Sequence, residues 1–154
     1  MSVRLSEDAA WAVLEAAHTG IFTTLKRDGM PITLPVWFAV LDRRIYVSGP
    51  SKTKKFGRIK NDGRCSFLVE SGKRWAELKA VQVNGTARMI DDEPELKARA
   101  LAAIGEKYAA FRTNRDAMPD AVRAHYAAST SVVEMTIAPR ILSWDNARIT
   151  APAG

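Results

Sequence analysis

Residues 81–89 carry the pattern that most limits how this chain can fold. Small or apolar residues occupy every second position there: Val81, Val83, Gly85, Ala87 and Met89. The positions between them are polar. Because successive side chains of a β-strand point to opposite faces, this period of two predicts a strand with one buried face. Gly85 has no side chain to pack and predicts a bulge or bend within the strand.

Further strands are predicted where β-branched and aromatic residues lie between turn signals. Together with the long strand around Gly85 they number six: residues 21–25, 30–41, 45–48, 65–69, 75–90 and 132–137, the last extended by 141–144. Asp28-Gly29 predicts a hairpin between the first two strands. Pro31 and Pro35 lack the amide hydrogen that a sheet uses, so the second strand is predicted to lie at an edge or to be broken by bulges.

Capping residues and apolar spacings of three and four predict the helices. One starts at Ser6 and ends near Gly20, a short basic one ends at residues 62–63, one runs over residues 94–111, and a shorter one over 119–127. Five hairpin-linked strands and a sixth that returns after the helices are too many for a flat open sheet on so short a chain, and closure into a barrel protects the strand edges. The predicted fold class is therefore mainly β, a six-stranded antiparallel barrel with flanking helices.

The length of 154 residues predicts one domain over residues 1–148, followed by a disordered tail over 149–154. Cys65 is the only cysteine and cannot form an internal disulfide, so a reducing compartment is expected. Glu7 and Asp8 interrupt the stretch where a signal peptide would be apolar, and no run approaches the roughly 20 apolar residues of a membrane span. A soluble, cytoplasmic protein without a membrane partner is expected.

The formal net charge of +6 and a sequence pI of about 9.7 predict an anionic partner. Nucleic acid, an acidic surface and a phosphorylated small molecule all satisfy that requirement. The placement of the charge is more informative. Lys52, Lys54 and Lys55 stand beside Ser51 and Thr53 in a loop that follows a strand and opens a helix. Positive charge at a helix N-terminus opposes the helix dipole unless an anion compensates it, so this loop predicts a phosphate site, with a solvated basic helix start as the alternative.

Other chemically capable residues fit structural roles better. His18 and His125 stand apart from clustered Cys, Asp or Glu, so no metal site is predicted. The acidic residues within 91–95 suit a helix start, and Cys65 suits a strand core. Trp37 follows Pro35 on the interrupted strand, where a flat ligand could approach the backbone. No acid–base constellation emerges, and no catalytic residue is predicted.

In order and spacing, several segments resemble the split β-barrel flavin and deazaflavin oxidoreductases, which are the pyridoxamine 5′-phosphate oxidase-like proteins. The similarity covers about residues 6–145 and rests on residues 21–25, Asp28-Gly29, Pro31, 35–38, 45–48, 52–55, 61–69, 83–87 and 143–145. The resemblance implies a homodimer with two cofactor sites in grooves between the subunits.

The resemblance also implies which residues hold the cofactor. The phosphate-binding positions match Ser48, Lys52, Thr53 and Lys55, with Lys54 as an alternative. The wall beside the cofactor ring corresponds to Pro35, Val36 and Trp37, and Trp75 is expected to approach from the partner subunit. The chain departs from the family pattern at Arg58 and Gly63 and lacks the arginine and histidine set that true pyridoxamine phosphate oxidases use for their substrate.

These implications predict an oxidoreductase that transfers hydride between a bound deazaflavin coenzyme or FMN and a small organic substrate. The basic excess favours the deazaflavin coenzyme, whose tail is polyanionic; FAD and haem are further options. A basic small barrel that stacks nucleic-acid bases on its aromatic residues is the rival from another class. A flavin carrier without catalytic activity is the third reading.

Overall fold

Seven strands and five α-helices make up the described part, residues 2–126 and 129–150, of a computed structural model. The helices are α1 (Glu7–Ala16), α2 (Lys54–Asn61), α3 (Pro94–Tyr108), α4 (Asp120–Tyr126) and α5 (Ala147–Thr150). The strands are β1 (Gly20–Leu25), β2 (Pro31–Val36), β3 (Ala39–Leu41), β4 (Arg44–Pro50), β5 (Arg64–Ser71), β6 (Lys79–Met89) and β7 (Thr130–Asp145).

All seven strands belong to one antiparallel sheet in the order β2-β1-β5-β6-β7-β4-β3. Its two edge strands, β2 and β3, are consecutive in sequence and are separated only by Trp37 and Phe38. Three extended Cα steps reach no further than about 11 Å. The sheet must therefore curl until its two edges approach each other, which makes it a half-barrel. The predicted mainly β, antiparallel class is confirmed.

The predicted strand over residues 30–41 is wrong as a single strand, and the sheet has seven strands rather than six. The chain leaves the sheet at Phe38, whose backbone bonds to the side chain of Tyr108 on α3. The Tyr108 hydroxyl accepts from the Phe38 amide at 3.0 Å and lies 3.1 Å from the Phe38 carbonyl oxygen. A distant side chain thus satisfies the backbone groups that a continuous strand would pair within the sheet.

The bulge predicted at Gly85 is confirmed. Val83 pairs with Ile141 but Gly85 pairs with Ile137, so β7 bends through residues 138–140. A Cβ atom at Gly85 would lie 2.0 Å from the Thr136 carbonyl oxygen, which explains why this position has no side chain. The long strand is shorter than predicted at its start, because residues 75–77 form a turn of 3₁₀-helix.

Two apolar clusters hold α1, α2 and α3 to the sheet. The larger lies inside the curl and includes Trp11 and Leu14 of α1 and Phe56 and Ile59 of α2. The smaller packs α3 against β3 and β4. None of the helices in the described ranges is long and apolar enough to cross a membrane. Helix α5 reaches residue 150, so the tail predicted from residue 149 is wrong for its first two residues; the others, 151–154, lie outside the described ranges.

Candidate functional site

The loop between β4 and α2 is anchored to the start of β7 through serine side chains. The Ser51 hydroxyl donates to the Ser129 carbonyl oxygen at 2.7 Å, and the Ser51 amide donates to the same oxygen at 2.7 Å. The Ser131 hydroxyl donates to the Ser51 hydroxyl oxygen, also at 2.7 Å. Ser48 lies within β4 opposite Val132 of β7. The loop that carries the predicted phosphate ligands therefore continues directly from β4 and is hydrogen-bonded to the start of β7.

Thr53 caps α2 in extended backbone geometry, but its side chain does not perform the usual capping bond. The Thr53 hydroxyl oxygen is buried and has no hydrogen-bond partner among the described residues. A buried hydroxyl without a partner costs on the order of 1–3 kcal/mol. The polar atom at the start of α2 therefore fits a hydrogen-bonding ligand.

Lys55 turns back from α2 towards the end of β4. A Cβ atom at Gly49, the neighbour of Ser48, would lie 3.2 Å from the Lys55 ammonium nitrogen, so the glycine makes room for the cation. The ammonium also lies 5.1 Å from the centroid of the Phe56 ring. Burial, followed by the positive charge of Arg58, lowers the pKa of Lys55. An anion beside this group would relieve both effects.

The cations around α2 have no anionic partners in the part of the chain that the structure describes. Across residues 2–126 and 129–150, no carboxylate forms an ion pair with Lys52, Lys54, Lys55 or Arg58. Arg58 instead donates its Nε hydrogen to the Thr24 hydroxyl of β1 at 2.7 Å. Lys52 and Lys54 are exposed. The N-terminal half of α2 is thus a concentration of positive charge with hydroxyl groups nearby.

A groove of about 650 Å³ continues from this charge between α2 and the β1–β2 hairpin. Four of the residues that line it are basic and none is acidic: Leu25, Lys26, Arg27, Ile32, Lys54, Gly57, Arg58 and Asn61. We name it the basic groove. The sequence analysis missed Lys26 and Arg27 as site residues. Their signal was the Lys-Arg pair just before the hairpin turn, but only the fold shows that this hairpin faces α2.

The predicted ring wall lies at the opposite end of β1. Pro35 is exposed, Val36 is buried, and Trp37 keeps 38% of its surface exposed. One face of the Trp37 indole stacks on Tyr108, with ring centroids 4.3 Å apart and planes 1° from parallel. Val36 pairs with Gly20, whereas the basic groove begins at Leu25, a separation along β1 of about 17 Å.

Trp75 stands apart from both groups. It lies on the 3₁₀ turn before β6 with 62% of its surface exposed, and its carbonyl oxygen accepts from the Asn146 side chain at 2.8 Å. The structure therefore places the nine predicted residues in three groups: the end of β4 with the following loop and the start of α2, the end of β2 with the adjoining Trp37, and the turn before β6. Within one chain, the fold brings together the phosphate-binding candidates but leaves both tryptophans elsewhere.

Comparison with known proteins gives one family. The pyridoxamine 5′-phosphate oxidase family model matches residues 6–139. No curated protein matches the chain by sequence.

Solved structures share the fold over most of the chain. The conserved hypothetical protein Rv2991 from Mycobacterium tuberculosis has 26% sequence identity and a TM-score of 0.80, over 99% of this chain and 92% of that one. An FAD binding protein from Mycobacterium smegmatis has 22% identity and a TM-score of 0.63, over 90% and 95% of the two chains. A protein described as an F420 reductase has 18% identity and a TM-score of 0.61, over 85% and 94%.

Proposed function

Since this chain belongs to the pyridoxamine 5′-phosphate oxidase family and has its split β-barrel fold, we propose that it is a flavin- or deazaflavin-dependent oxidoreductase. It transfers hydride between the bound cofactor and a small organic substrate. The bound tricyclic ring supplies the redox chemistry, so the chain has to hold the phosphate, orient the ring and shape a substrate pocket. That division of labour suits a chain in which no acid–base constellation was found by sequence.

The observation that carries this proposal is the set of unpaired polar groups where β4 meets α2. A phosphate there would accept from the buried Thr53 hydroxyl, which has no partner among the described residues. It would also neutralise Lys55, whose ammonium lies beside Gly49. Ser48, Lys52 and Lys54 are the remaining candidate ligands, on the flanking strand and loop. Charge-assisted bonds of this kind are about twice as strong as neutral ones.

The basic groove favours the deazaflavin coenzyme over FMN. Both cofactors present one phosphate after a ribityl chain, but the deazaflavin coenzyme continues into a polyanionic tail. Lys26, Arg27 and Arg58 extend the positive charge beyond the phosphate candidates, and no carboxylate is found among the described residues that line the groove. A tail that follows the groove would meet three further cations, which FMN would leave unused.

The cofactor site is proposed to be shared between two subunits of a homodimer. Pro35, Val36 and Trp37 would form one wall beside the ring, and Trp75 would approach from the second subunit. The separation of Trp75 from the other candidates within one chain supports this arrangement, because a second copy can supply what the first lacks.

The test is a titration of the purified chain with FMN and, separately, with the deazaflavin coenzyme F420. We expect tight binding of F420 and weaker binding of FMN. A charge-assisted contact contributes roughly 1.5–3 kcal/mol, so Lys55→Ala should weaken F420 binding about 10- to 150-fold. Lys60→Ala, which removes an exposed lysine from the other end of α2, is the matched control and should bind like the parent chain.

Four outcomes would contradict the proposal. If neither cofactor binds, or Lys55→Ala binds as tightly as the parent, the phosphate assignment is wrong. Binding to an oligonucleotide that weakens steeply with salt, in a chain without cofactor affinity, would support the nucleic-acid rival. A chain that binds F420 but whose reduced cofactor never passes electrons to any acceptor would be a carrier.

A further inference from the structure

Ser131, a buried residue near the start of β7, contacts the loop of the phosphate candidates although it belongs neither to that loop nor to α2. It keeps 5% of its surface exposed and lies opposite Gly49 of β4. Its hydroxyl donates to the Ser51 hydroxyl oxygen at 2.7 Å, across 80 positions of sequence. Ser51 opens the loop, residues 51–53, that joins β4 to α2. A side chain of the sheet therefore holds this loop from outside it.

The hydroxyl groups of Ser51 and Ser131 have no hydrogen left for a phosphate. Each hydroxyl has one hydrogen to donate, and phosphate oxygens act as strong acceptors. Ser51 donates its hydrogen to the Ser129 carbonyl oxygen, and Ser131 donates its own to Ser51. Thr53 differs, since its buried hydroxyl oxygen has no hydrogen-bond partner among residues 2–126 and 129–150. Ser51 and Ser131 can therefore affect a bound phosphate only by placing the groups that contact it.

Ser51 determines the path of the loop because it lies within a tight turn. The Thr53 amide donates to the Pro50 carbonyl oxygen at 3.0 Å, so Ser51 and Lys52 are the two central residues of that turn. Helix α2 begins directly after it. The Ser51 amide and hydroxyl both bond to Ser129, and its hydroxyl oxygen accepts from Ser131. Three hydrogen bonds at Ser51 thus fix the direction in which Lys52 and Thr53 leave the sheet.

The strand that carries Ser131 is held in turn from the side of α3. The Asp91 carboxylate accepts from the amide of Val132, the residue after Ser131, at 3.2 Å. The ammonium of Lys97 in α3 lies 3.0 Å from the same carboxylate oxygen. Ligand-binding residues keep a precise geometry only when packing and hydrogen bonds behind them lock them in place. Ser131 has the burial and the supporting bonds that such a role requires.

We propose that Ser131 is a positioning residue of the phosphate site. Its hydroxyl fixes Ser51, and Ser51 fixes the turn that directs Lys52 and Thr53 towards the phosphate group of a ligand. The assignment of that phosphate to a flavin or deazaflavin cofactor rests on the proposed function. The dependence of phosphate binding on Ser131 does not, because it follows from the hydrogen bonds of the loop alone.

The probe is inorganic phosphate, titrated into the full chain with chloride at equal ionic strength as the reference. Binding is followed by NMR at the amides of Lys52 and Thr53. We expect phosphate to shift both resonances to saturation, beyond any change that chloride causes. Ser131→Ala should raise the Kd of phosphate by about 2- to 12-fold, the range expected for loss of one neutral hydrogen bond. Ser131→Thr keeps a hydroxyl and should bind phosphate like the parent.

Ser143→Ala is the matched control. Ser143 is also a buried serine of β7, and its hydroxyl accepts from the Leu5 amide at 3.0 Å, away from the loop. This variant removes a hydrogen bond of the same kind and should leave the Kd of phosphate unchanged.

A double-variant cycle shows whether Ser131 acts through Ser51. Ser51→Ala should weaken phosphate binding at least as much as Ser131→Ala does. Adding Ser131→Ala to Ser51→Ala should then weaken it no further, because the acceptor of the Ser131 hydrogen bond is already gone.

A role in placing phosphate ligands also predicts which cofactors respond. FMN and riboflavin differ only in the phosphate group. Ser131→Ala should raise the Kd of FMN by the same 2- to 12-fold, as an order-of-magnitude range, and leave the Kd of riboflavin unchanged. A general loss of structure would weaken both ligands equally.

The inference is overturned if phosphate shifts the Lys52 and Thr53 amides no more than chloride does, or if Ser131→Ala binds phosphate like the parent. It is also overturned if Ser131→Ala weakens FMN and riboflavin equally, or if the effects of Ser51→Ala and Ser131→Ala add. Failure of the proposed function is a separate result. A chain that binds phosphate in a Ser131-dependent manner but takes up neither F420 nor FMN would keep the phosphate site and lose the redox assignment.

Discussion

At the scale of single residues, Lys107 shows a cation held without an anion. Its ammonium nitrogen is buried, has no hydrogen-bond partner among the described residues, and lies 3.7 Å from the centroid of the Phe38 ring. Attraction between a cation and a ring face contributes about 0.5–2 kcal/mol. This attraction does not fully compensate for the hydration that the ammonium loses. Burial therefore lowers the pKa of Lys107 from 10.5 to about 8.

The lowered pKa of Lys107 predicts a specific pH dependence of stability. Below pH 8 the lysine is protonated in both the folded and the unfolded chain, so its contribution is constant. Between about 8 and 10.5 the unfolded chain binds more protons, and the free energy of unfolding gains a rising contribution from this group. Urea unfolding of the parent chain and Lys107→Met at pH 7, 8, 9 and 10 measures it. The parent should gain stability relative to the variant as pH rises.

Lys60→Met provides the control, because Lys60 is exposed and its replacement should leave the pH profile of the parent unchanged. Parallel profiles for the parent and Lys107→Met would contradict the placement of the Lys107 ammonium against Phe38.

At the scale of elements, the sequence predicted those helices, strands and bulges that depend on residues close together in the chain. Ser6 with Glu7 and Asp8 predicted α1, and the Ser6 hydroxyl does accept from the Ala9 amide at 3.2 Å. The alternation around Gly85 predicted β6 and its bulge. The break at Phe38 was beyond such patterns, because it depends on Tyr108, which lies 70 positions later.

The candidate site also has one part that local sequence patterns predicted and another that depends on contacts between distant segments. The loop after β4 could be found from sequence because its lysines and hydroxyls are contiguous. The basic groove could not, because Arg27 and Arg58 meet only when the β1–β2 hairpin packs beside α2. Ring contacts of His18 with Trp37, Tyr108 and Phe111 likewise join residues from three distant segments. His18 was assigned a packing or surface role from sequence, and only the fold places it beside two exposed rings.

The bend between β6 and β7 gives a prediction at this scale. In Gly85→Ala the new methyl group would lie 2.0 Å from the Thr136 carbonyl oxygen, so the backbone would have to shift. Overpacking of this kind costs about 1–3 kcal/mol and here we expect the upper end of that range. Gly105→Ala within α3 has open space around the new methyl group and should gain about 0.5–1 kcal/mol. Urea midpoints measure both; equal midpoints would show that the bend accommodates a side chain.

At the scale of the whole molecule, the outer face of the sheet presents a row of side chains that the core does not use. The pairings Ile21 with Leu68, Leu68 with Gln82, and Gln82 with Leu142 place these four residues side by side across β1, β5, β6 and β7. Three of the four are apolar, and Leu142 exposes 49% of its surface. This row is a surface that a second copy of the chain could cover.

The homodimer proposed for the cofactor site can therefore be tested through Leu142. In Leu142→Glu the carboxylate would be buried against the partner, and an unpaired buried charge is strongly unfavourable. Light scattering after size exclusion should show the parent at about twice the 16.9 kDa chain mass and the variant at one chain mass. The exposed Val122 of α4 provides the control variant Val122→Glu, which should remain dimeric.

If Leu142→Glu is monomeric, its cofactor affinity distinguishes a site shared between subunits from a site that each chain holds complete. A site shared between subunits needs the dimer, so F420 affinity should fall together with the molecular mass, and high protein concentration should restore both. If Leu142→Glu becomes monomeric but binds F420 as tightly as the parent, each chain holds a complete site, and Trp75 makes no contribution from the partner. If the variant remains dimeric, the outer row of the sheet is not the interface and the second copy must cover another face.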